Sequence, residues 1–257
     1  MNGPDLRISG ALAVVRRNFL VWKRLFWSAL VLNLGEPALY LLGLGLGLGR
    51  FVGELDGLSY LAFLASGLVA SSAMNTATFE GMYSVYTRMV PQKTYEAMLA
   101  TPLRIQDILL GEMLWCGAKA AFSASGILLV AALLGVVHGF GALWALPAAF
   151  LTGLAFAGPA IVMSAKADGY DFFNYYFVLV ITPMLLVCGV FYPVATLPDS
   201  LRLLVDVLPL THAVELIRPL VAGGAPEHPL MNMAVLSLYA LVGFLLATHL
   251  ARHRLMR

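Results

Sequence analysis

Four charged residues lie within long apolar stretches of the sequence, where an isolated charge is unfavourable. They are Glu36, Glu80, Glu112 and Lys119. Charges in such stretches often mark a substrate or ion pathway. Glu36, which precedes Pro37, and Lys119 are predicted to be internal, and Glu36 is a candidate for lining a substrate path or for joining helices. Glu80 and Glu112 lie near the predicted ends of their segments, where contact with water would make a charged side chain tolerable.

A polar strip accompanies these charges. Ser71, Asn75 and Thr78 are spaced by four and then three residues, so they share one face of a helix. Such a strip can line a translocation route, or it can hydrogen-bond to another helix without touching a substrate. Both interpretations stay open at the level of the sequence.

Other chemistry is poorly supported by the sequence. It contains no GxxxxGK[ST] loop for nucleotide phosphates, and its five histidines are scattered without an HExxH pair. Cys116 and Cys188 lie in apolar segments and are predicted to be packing residues. A net charge of +2 with dispersed basic residues gives no basic patch for a nucleic acid. No catalytic residue and no metal ligand is predicted.

The elements that carry these residues are predicted to be membrane helices. Of the 257 residues, 60% are hydrophobic and 12% are charged, whereas about a quarter are charged in soluble domains. Apolar stretches near the length that crosses a bilayer recur along the chain. We predict an all-α polytopic membrane protein in one domain, 1–257, with six spans at 28–49, 58–83, 105–137, 142–165, 172–192 and 230–250.

The distribution of Lys and Arg predicts the orientation, since short cytoplasmic loops keep positive charge. With the N-terminus inside, 12 of the 16 basic residues fall in cytoplasmic segments: Arg7, Arg16, Arg17, Lys23, Arg24, Arg88, Lys93, Arg104, Lys166, Arg252, Arg254 and Arg257. Only Arg50, Arg202 and Arg218 fall outside. Six spans then place both termini in the cytoplasm of a bacterium, with the chain in its inner membrane.

The segment before the first span has the pattern of an amphipathic helix over residues 12–26. Leu12, Val15, Phe19, Trp22 and Phe26 recur at three- and four-residue spacing, with basic pairs on another side. This pattern predicts a helix lying in the plane of the interface, within the cytoplasmic segment 1–27. The alternative is an ordinary basic flank to the first span.

The connection between spans two and three predicts a short cytoplasmic helix over 94–100, with Thr94 as its N-cap and Pro102 ending it. Met98 and Leu99 are expected to project from a wet loop and to dock into a partner's groove, unless the helix lies against the bilayer. Span three is too long for the hydrocarbon, so its first turns are also expected to be wet.

Two further segments are unusual. The run from Gly43 to Gly49 contains two overlapping GxxxG patterns, which predict close helix contact, either within the chain or with a second copy. Residues 193–229 are too apolar for a loop and too charged for a span, and Pro209 and Pro219 divide them. A pair of short helices dipping into the outer leaflet is predicted there, before span six and the tail, 230–257.

Several motifs resemble the type 2 ABC exporter permeases. They are Tyr95-Glu-Ala-Met-Leu-Ala-Thr-Pro102, Asp107-Ile-Leu-Leu-Gly-Glu112 and Leu208-Pro-Leu-Thr-His-Ala-Val-Glu-Leu-Ile-Arg-Pro-Leu220. Thr78-Phe-Glu-Gly-Met-Tyr83 and Arg88-Met are most similar to the branch associated with export of lipo-chitooligosaccharide signals. The similarity covers nearly the whole chain.

The resemblance implies a permease half that pairs with a second copy and with two cytoplasmic ABC ATPase subunits. ATP and Mg²⁺ would bind to those partners, this chain would hold no cofactor and would not itself be an enzyme, and membrane lipids would surround it. The ATPase-coupling residues would be Tyr95, Glu96, Met98, Leu99 and Pro102, and the outer-hairpin motif, within 194–222, would be Pro209, His212, Glu215 and Arg218.

The predicted function is export of an amphipathic substrate, such as a lipo-oligosaccharide, along Glu36, Ser71, Asn75 and Thr78. Related permeases handle polysaccharide, lipids or hydrophobic drugs, so the substrate stays open. A membrane channel that works without a motor, and an anchor or assembly protein without transport, are the alternatives from other classes.

Overall fold

The computed structural model describes residues 7–137 and 139–255, except for the side chains of residues 29, 32–34, 36 and 37. The first half of the chain forms α1 (Ile8–Arg24), α2 (Phe26–Tyr40), a π-helical stretch (Leu41–Leu46), α3 (Gly49–Val52), the strands β1 (Glu54–Leu55) and β2 (Leu58–Ser59), α4 (Tyr60–Phe79), a second π-helical stretch (Glu80–Ser84), α5 (Val85–Met89) and α6 (Thr94–Leu99). The two strands pair antiparallel in a small hairpin.

The second half is also helical. It forms α7 (Ile105–Leu133), a 3₁₀ turn (Phe140–Trp144), α8 (Ala145–Lys166), α9 (Asp171–Tyr176), a third π-helical stretch (Phe177–Ile181), α10 (Thr182–Val187), another 3₁₀ turn (Val194–Thr196), α11 (Asp199–Val205), α12 (Pro209–Ala222) and α13 (Pro229–Leu255). The chain is therefore an all-α polytopic membrane protein with one short β-hairpin, which the sequence patterns did not predict.

Four helical segments of the described residues are long and apolar enough to cross a membrane: Tyr60–Met89, Ile105–Leu133, Phe140–Lys166 and Pro229–Leu255. They coincide with predicted spans two, three, four and six. Span two starts two residues later than predicted because the β-hairpin occupies residues 54–59. Ser59 caps α4 by accepting a hydrogen bond from the amide of Ala62 at 3.3 Å.

The other two predicted spans correspond to shorter or divided apolar helices. The region of span one is α2, the first π-helical stretch and α3, with Ala38–Val52 as its apolar part. The region of span five is helical over Asp171–Val187 and ends at Cys188, before the predicted end at residue 192. The first continues from α2 through the π-helical stretch towards α3, and a bend at Gly189, whose φ is 80°, ends the second.

Helix α4 forms the centre of the bundle, packed among α7, α8 and α12. Small residues let the surrounding helices approach closely. A Cβ atom placed on Gly158 of α8 would lie 2.6 Å from the Cα of Gly243 in α13, and one placed on Gly111 of α7 would lie 2.6 Å from the carbonyl oxygen of Ala11 in α1. Backbone contact of this kind is the usual way for helices to associate in lipid.

Helix α1 packs against α7 through small residues in its first half and through Trp22 of its apolar stripe, whose ring lies 6.0 Å from that of Trp115. Gly10, Ala11, Val14 and Asn18 are buried, whereas Leu12 and Phe19 of the predicted stripe are exposed. The helix spans residues 8–24 rather than 12–26. Leu12 and Phe19 are therefore available to lipid, and the small residues of α1 face the protein.

The first turn of α7 was predicted to be exposed to water, but it is partly buried in the protein. Asp107 is fully buried and accepts hydrogen bonds from the backbone amides of Arg7 at 2.9 Å and Arg104 at 3.1 Å. This carboxylate joins the start of α1 to the start of α7.

The glycine run divides into two faces. A Cβ placed on Gly45 would lie against the side chain of Leu61, and one on Gly49 against Tyr60, so one GxxxG pattern faces α4 within the chain. No described atom lies within 4 Å of a Cβ placed on Gly43 or Gly47. The second pattern therefore faces away from the rest of the described chain.

The contact between Gly158 and Gly243 gives a test of the packing. Gly158→Ala would force two backbones apart, because neither glycine can move a side chain out of the way. We expect a loss of about 1–3 kcal/mol in stability, the usual range for overpacking, seen as a lower midpoint of thermal unfolding in detergent.

Gly35→Ala is the matched control, because Gly35 lies in α2 outside the glycine run and the added methyl meets no described atom. It should leave the midpoint unchanged or raise it slightly, since alanine favours a helix over glycine. Equal midpoints for the two variants would contradict the close helix contact.

Candidate functional site

A buried ionic cluster lies where the end of α4, α5 and α7 meet, and it consists of Glu80, Arg88, Glu112 and Lys119. The guanidinium of Arg88 donates from Nε and Nη2 to the two carboxylate oxygens of Glu112, at 3.0 and 2.7 Å. Arg88 Nη2 also donates to Glu80 at 3.2 Å. Lys119 Nζ donates to the other oxygen of Glu80 at 2.8 Å. Two cations thus balance two carboxylates.

Local sequence explains how these residues meet. Glu112 and Lys119 are seven residues apart, so they share one face of α7. Glu80 opens the second π-helical stretch, directly before the helix that carries Arg88. Glu112 is fully buried and Glu80 is 6% exposed. The prediction that these two carboxylates are hydrated is therefore wrong, because the protein supplies their partners instead.

Polar side chains complete the cluster and extend it to α1. Asn18 donates from Nδ2 to Glu112 at 2.8 Å, and its own oxygen accepts from Arg17 at 3.1 Å. Ser84 donates to Glu80 at 2.9 Å. Hydrogen bonds to the remaining lone pairs are what make a buried ion pair tolerable.

Tyr95 connects α6 to this cluster. Its side chain is fully buried, and its hydroxyl makes no hydrogen bond of good geometry within the described chain. Burial and, next, the nearby Glu112 carboxylate raise the pKa of the Tyr95 phenol well above its ordinary value. The phenol is therefore neutral at physiological pH and contacts the cluster through packing.

The remaining predicted coupling residues fall into two groups. Glu96, Leu99 and Pro102 are exposed, with Leu99 37% exposed. Met98 is 9% exposed and belongs to the main hydrophobic core. The prediction that Met98 projects is therefore wrong, because the first turn of α6 rests on the bundle and turns this side chain inward.

The start of α6 also differs from the prediction. Thr94 is the first helical residue, and Lys93 precedes it as the N-cap, in a left-handed conformation with φ of 50°. The predicted cap is thus displaced by one residue. The helix ends at Leu99, ahead of Pro102.

Two cavities flank the ionic cluster. The α1 cavity has a volume of about 430 Å³ and lies between α1, α5 and α7. The central cavity has a volume of about 710 Å³ and lies between α4, α7, the third π-helical stretch and α10. Both are lined by the same four residues where they adjoin: Glu80, Tyr83, Ser84 and Lys119. The ion pair between Lys119 and Glu80 therefore stands at their boundary.

The central cavity has walls of opposite character. Its polar lining residues include Ser71, Ser72, Asn75, Thr76, Lys119 and Ser123. Its apolar and aromatic lining residues include Tyr40, Phe79, Phe177, Ile181, Leu185 and Phe191. A cavity with both kinds of lining suits a molecule that has a polar part and an apolar part.

The predicted substrate-path residues are only partly brought together. Ser71 and Asn75 line the central cavity. Thr78 does not, since its side chain is fully buried and its hydroxyl has no partner in the described part of the chain. The side chain of Glu36 lies outside the described residues.

Two features of the site were not predicted. Ser72 and Ser123 share a hydrogen bond of 2.6 Å between α4 and α7 in the cavity wall. Arg88, which the sequence placed in a cytoplasmic segment and in a family motif but not in a site, is the central residue of the cluster. Its position eight residues after Glu80 is the one signal that could have suggested this pairing.

The outer-hairpin motif consists mainly of residues that hold α12 in place. His212 Nδ1 contacts the side-chain amide group of Asn232 in α13 at 2.8 Å. Its Nε2 donates to the backbone carbonyl of Asp206 at 2.9 Å. Arg218 donates to Ser66 and to the carbonyl of Gly189, and its guanidinium lies 3.6 Å from the centre of the Phe63 ring.

The other two motif residues have different surroundings. Pro209 occupies the first turn of α12, where its missing amide is harmless. Glu215 is exposed, although its neighbours Val214 and Leu216 are buried. Three of the four motif residues thus begin α12 or hold it against its neighbours, and one lies outside the core.

A family comparison agrees with this architecture. Residues 10–221 match the family model described as ABC-2 type transporter. The chain belongs to this family, as its motifs predicted.

Comparison with individual proteins narrows the similarity to one branch of the family. The chain is 48% identical to Nodulation protein J of Rhizobium leguminosarum bv. viciae, over 96% of this chain and 95% of that protein. It is 46% identical to Nodulation protein J of Rhizobium meliloti, strain 1021, over 95% and 94%. A more distant relative, Nodulation protein J of Azorhizobium caulinodans, is 31% identical over 87% and 89%.

The ionic cluster generates a stability prediction. Arg88→Met should lower stability by about 3–5 kcal/mol, because it leaves the buried carboxylate of Glu112 without its cation. The midpoint of thermal unfolding in detergent measures the effect. Lys93→Met is the control: that lysine is exposed and its contact with Glu96 is 3.9 Å long, so the change should be below about 1 kcal/mol.

A double variant separates charge from shape. Arg88→Met with Glu112→Met removes both charges of this pair, leaves Glu80 with Lys119, and should recover part of the lost stability. A loss of stability in the double variant that exceeds the sum of the losses in the two single variants would contradict the pairing.

Proposed function

We propose that this chain is the transmembrane permease subunit of an ATP-driven exporter that moves an amphipathic substrate, such as a lipo-oligosaccharide, outward across the bacterial inner membrane. Membership of the ABC-2 type transporter family supports the transport role. The names of its relatives support a part in nodulation. The observation that carries the proposal is the central cavity, whose polar and aromatic walls fit such a substrate.

The motor is proposed to be a separate subunit. The sequence has no phosphate-binding loop, and the resemblance to the Nodulation protein J branch implies a NodI-like ATPase in two copies. ATP and Mg²⁺ would bind there, and this chain would transmit the motion. Helix α6, with Leu99 exposed at its end, is the proposed contact with the ATPase.

The proposed topology has six spans with both termini in the cytoplasm. The four long apolar helices supply four crossings. The α2–α3 region and α9–α10 supply the other two, since each continues through a π-helical stretch. The excess of basic residues at the α6 end supports the orientation. Helix α1 would lie in the interface, and α11 and α12 would form the outer re-entrant hairpin.

A second copy of the permease is proposed to complete the pathway. The central cavity is bounded on one side by α4 and α7 and on another by α10, and the described part of this chain leaves it open. The face with Gly43 and Gly47 meets no described atom and could take a partner helix.

The proposed path of force follows the buried contacts. Motion at Leu99 displaces α6, whose Tyr95 packs beside Glu112 and Arg88. These two residues are bonded to Asn18 of α1 and to Glu80 at the end of α4. Glu80 and Lys119 border the central cavity. A push at α6 is thus transmitted to the cavity wall within one connected network.

Transport after reconstitution tests the function. Proteoliposomes that contain this chain and the ATPase should accumulate a labelled lipo-oligosaccharide only when ATP is present. This chain alone should neither transport nor conduct ions. Ion conductance without the ATPase would favour a channel instead, and no movement with a competent ATPase would favour an anchor.

A variant of α6 tests the coupling. Leu99→Asp should reduce stimulation of ATP hydrolysis by the permease at least about tenfold, since it places a charge in an apolar contact. Insertion and thermal stability should be unchanged, because Leu99 is exposed. Leu99→Met keeps an apolar side chain and should retain coupling. Met98 is unsuitable for this test, since it is buried. Normal stimulation in Leu99→Asp would exclude α6 docking through this residue.

A further inference from the structure

The α1 cavity contains more positive than negative charge. The charged side chains in its lining are Arg17, Glu80, Arg88 and Lys119. Glu112 lies behind them, bound to Arg88. Glu80 and Glu112 are already matched by Lys119 and Arg88, so three cations and two carboxylates leave one positive charge without a carboxylate.

That charge belongs to Arg17. Among the described residues, no carboxylate lies within 4.0 Å of its guanidinium, and its one side-chain hydrogen bond goes to Asn18. Burial and, next, the charge of Arg88 lower the pKa of Arg17. A half-buried cation beside another cation gains most from an incoming anion.

One hydrogen-bond donor in the cavity wall also lacks an acceptor. The indole N–H of Trp22, another lining residue, has no acceptor within the described chain. Gln92, Thr87 and Ser84 add polar groups to the same wall. A ligand that brings several oxygen atoms would meet this excess of donors.

The outer rim of the α1 cavity is apolar. Val21 and Leu25 line it and are 55% and 60% exposed. Trp22 and Trp115, whose rings lie 6.0 Å apart, form the adjacent wall. In the proposed orientation this rim lies beside the inner leaflet, so an acyl chain could remain in lipid while its head group enters the cavity.

We propose that the α1 cavity binds the anionic head group of an amphiphile, with Arg17 as the counter-charge and Val21 and Leu25 alongside its apolar part. Its place beside the Lys119–Glu80 boundary makes it the approach to the central cavity, and this role in transport rests on the proposed function. Binding itself depends only on the geometry of the cavity.

The test measures binding to the purified full chain in neutral detergent, without ATPase. The probes are short-chain phosphatidylglycerol and phosphatidylcholine of equal acyl length, and inorganic phosphate. We expect phosphatidylglycerol to bind more tightly than phosphatidylcholine. We also expect inorganic phosphate to compete only at far higher concentration, because it lacks the apolar part.

The variants locate the site. Arg17→Gln should weaken phosphatidylglycerol binding about tenfold, the usual effect of losing one charge-assisted hydrogen bond. Arg24→Gln removes the same charge from an exposed position of the same helix that lines neither cavity, and it should bind like the unaltered chain. Arg17→Lys keeps the charge and should retain most of the affinity. The unfolding midpoints without lipid should match across the three variants.

Three outcomes would overturn the proposal. Equal losses in Arg17→Gln and Arg24→Gln would mean general attraction to the basic helix. Equal binding of the two lipids would mean that the head-group charge is irrelevant. Competition by phosphate at the concentration of the lipid would mean a simple ion site. Because no transport is measured, these outcomes are distinct from a failure of the export function.

Discussion

The guanidinium of Arg88 lies between two buried carboxylates, and the arrangement of the α6 end of the bundle depends on this contact. Without it, Glu112 would be a buried charge with only Asn18 beside it, which is strongly unfavourable in a low-dielectric interior. The partners come from α1, α5, α7 and the end of α4, and Tyr95 of α6 packs beside them. Movement of one element therefore changes the contacts of the others.

Lipid as a solvent explains the largest differences between the sequence patterns and the fold. In water, an apolar stripe on a helix predicts the face that is buried. Here Leu12 and Phe19 of α1 face outward, while Gly10 and Ala11 face α7. Hydrocarbon does not penalise large apolar side chains, so close backbone approach decides which face packs. The glycine run follows the same rule at Gly45 and Gly49.

The apolar context of the membrane spans also determined how much of the site could be predicted from the sequence. Composition and length were enough for an all-α membrane fold, and apolar context singled out Glu80, Glu112 and Lys119. The pairing of Arg88 with Glu112 was not predictable, because the two lie 24 residues apart in sequence and only the fold brings them together. Met98 was misjudged for a related reason, since a loop position says nothing about which side of a short helix rests on the bundle.

The three described π-helical stretches all lie beside the central cavity. Each has a central-cavity residue within it or directly before it: Tyr40, Glu80 and Phe177. A π turn holds one residue more than an α turn. If that extra residue passes along the helix by one position, the side chains presented to the cavity change while the ends of the helix stay in place. Such a shift would change the width of the cavity through a local change of register, without tilting a whole span through the bilayer.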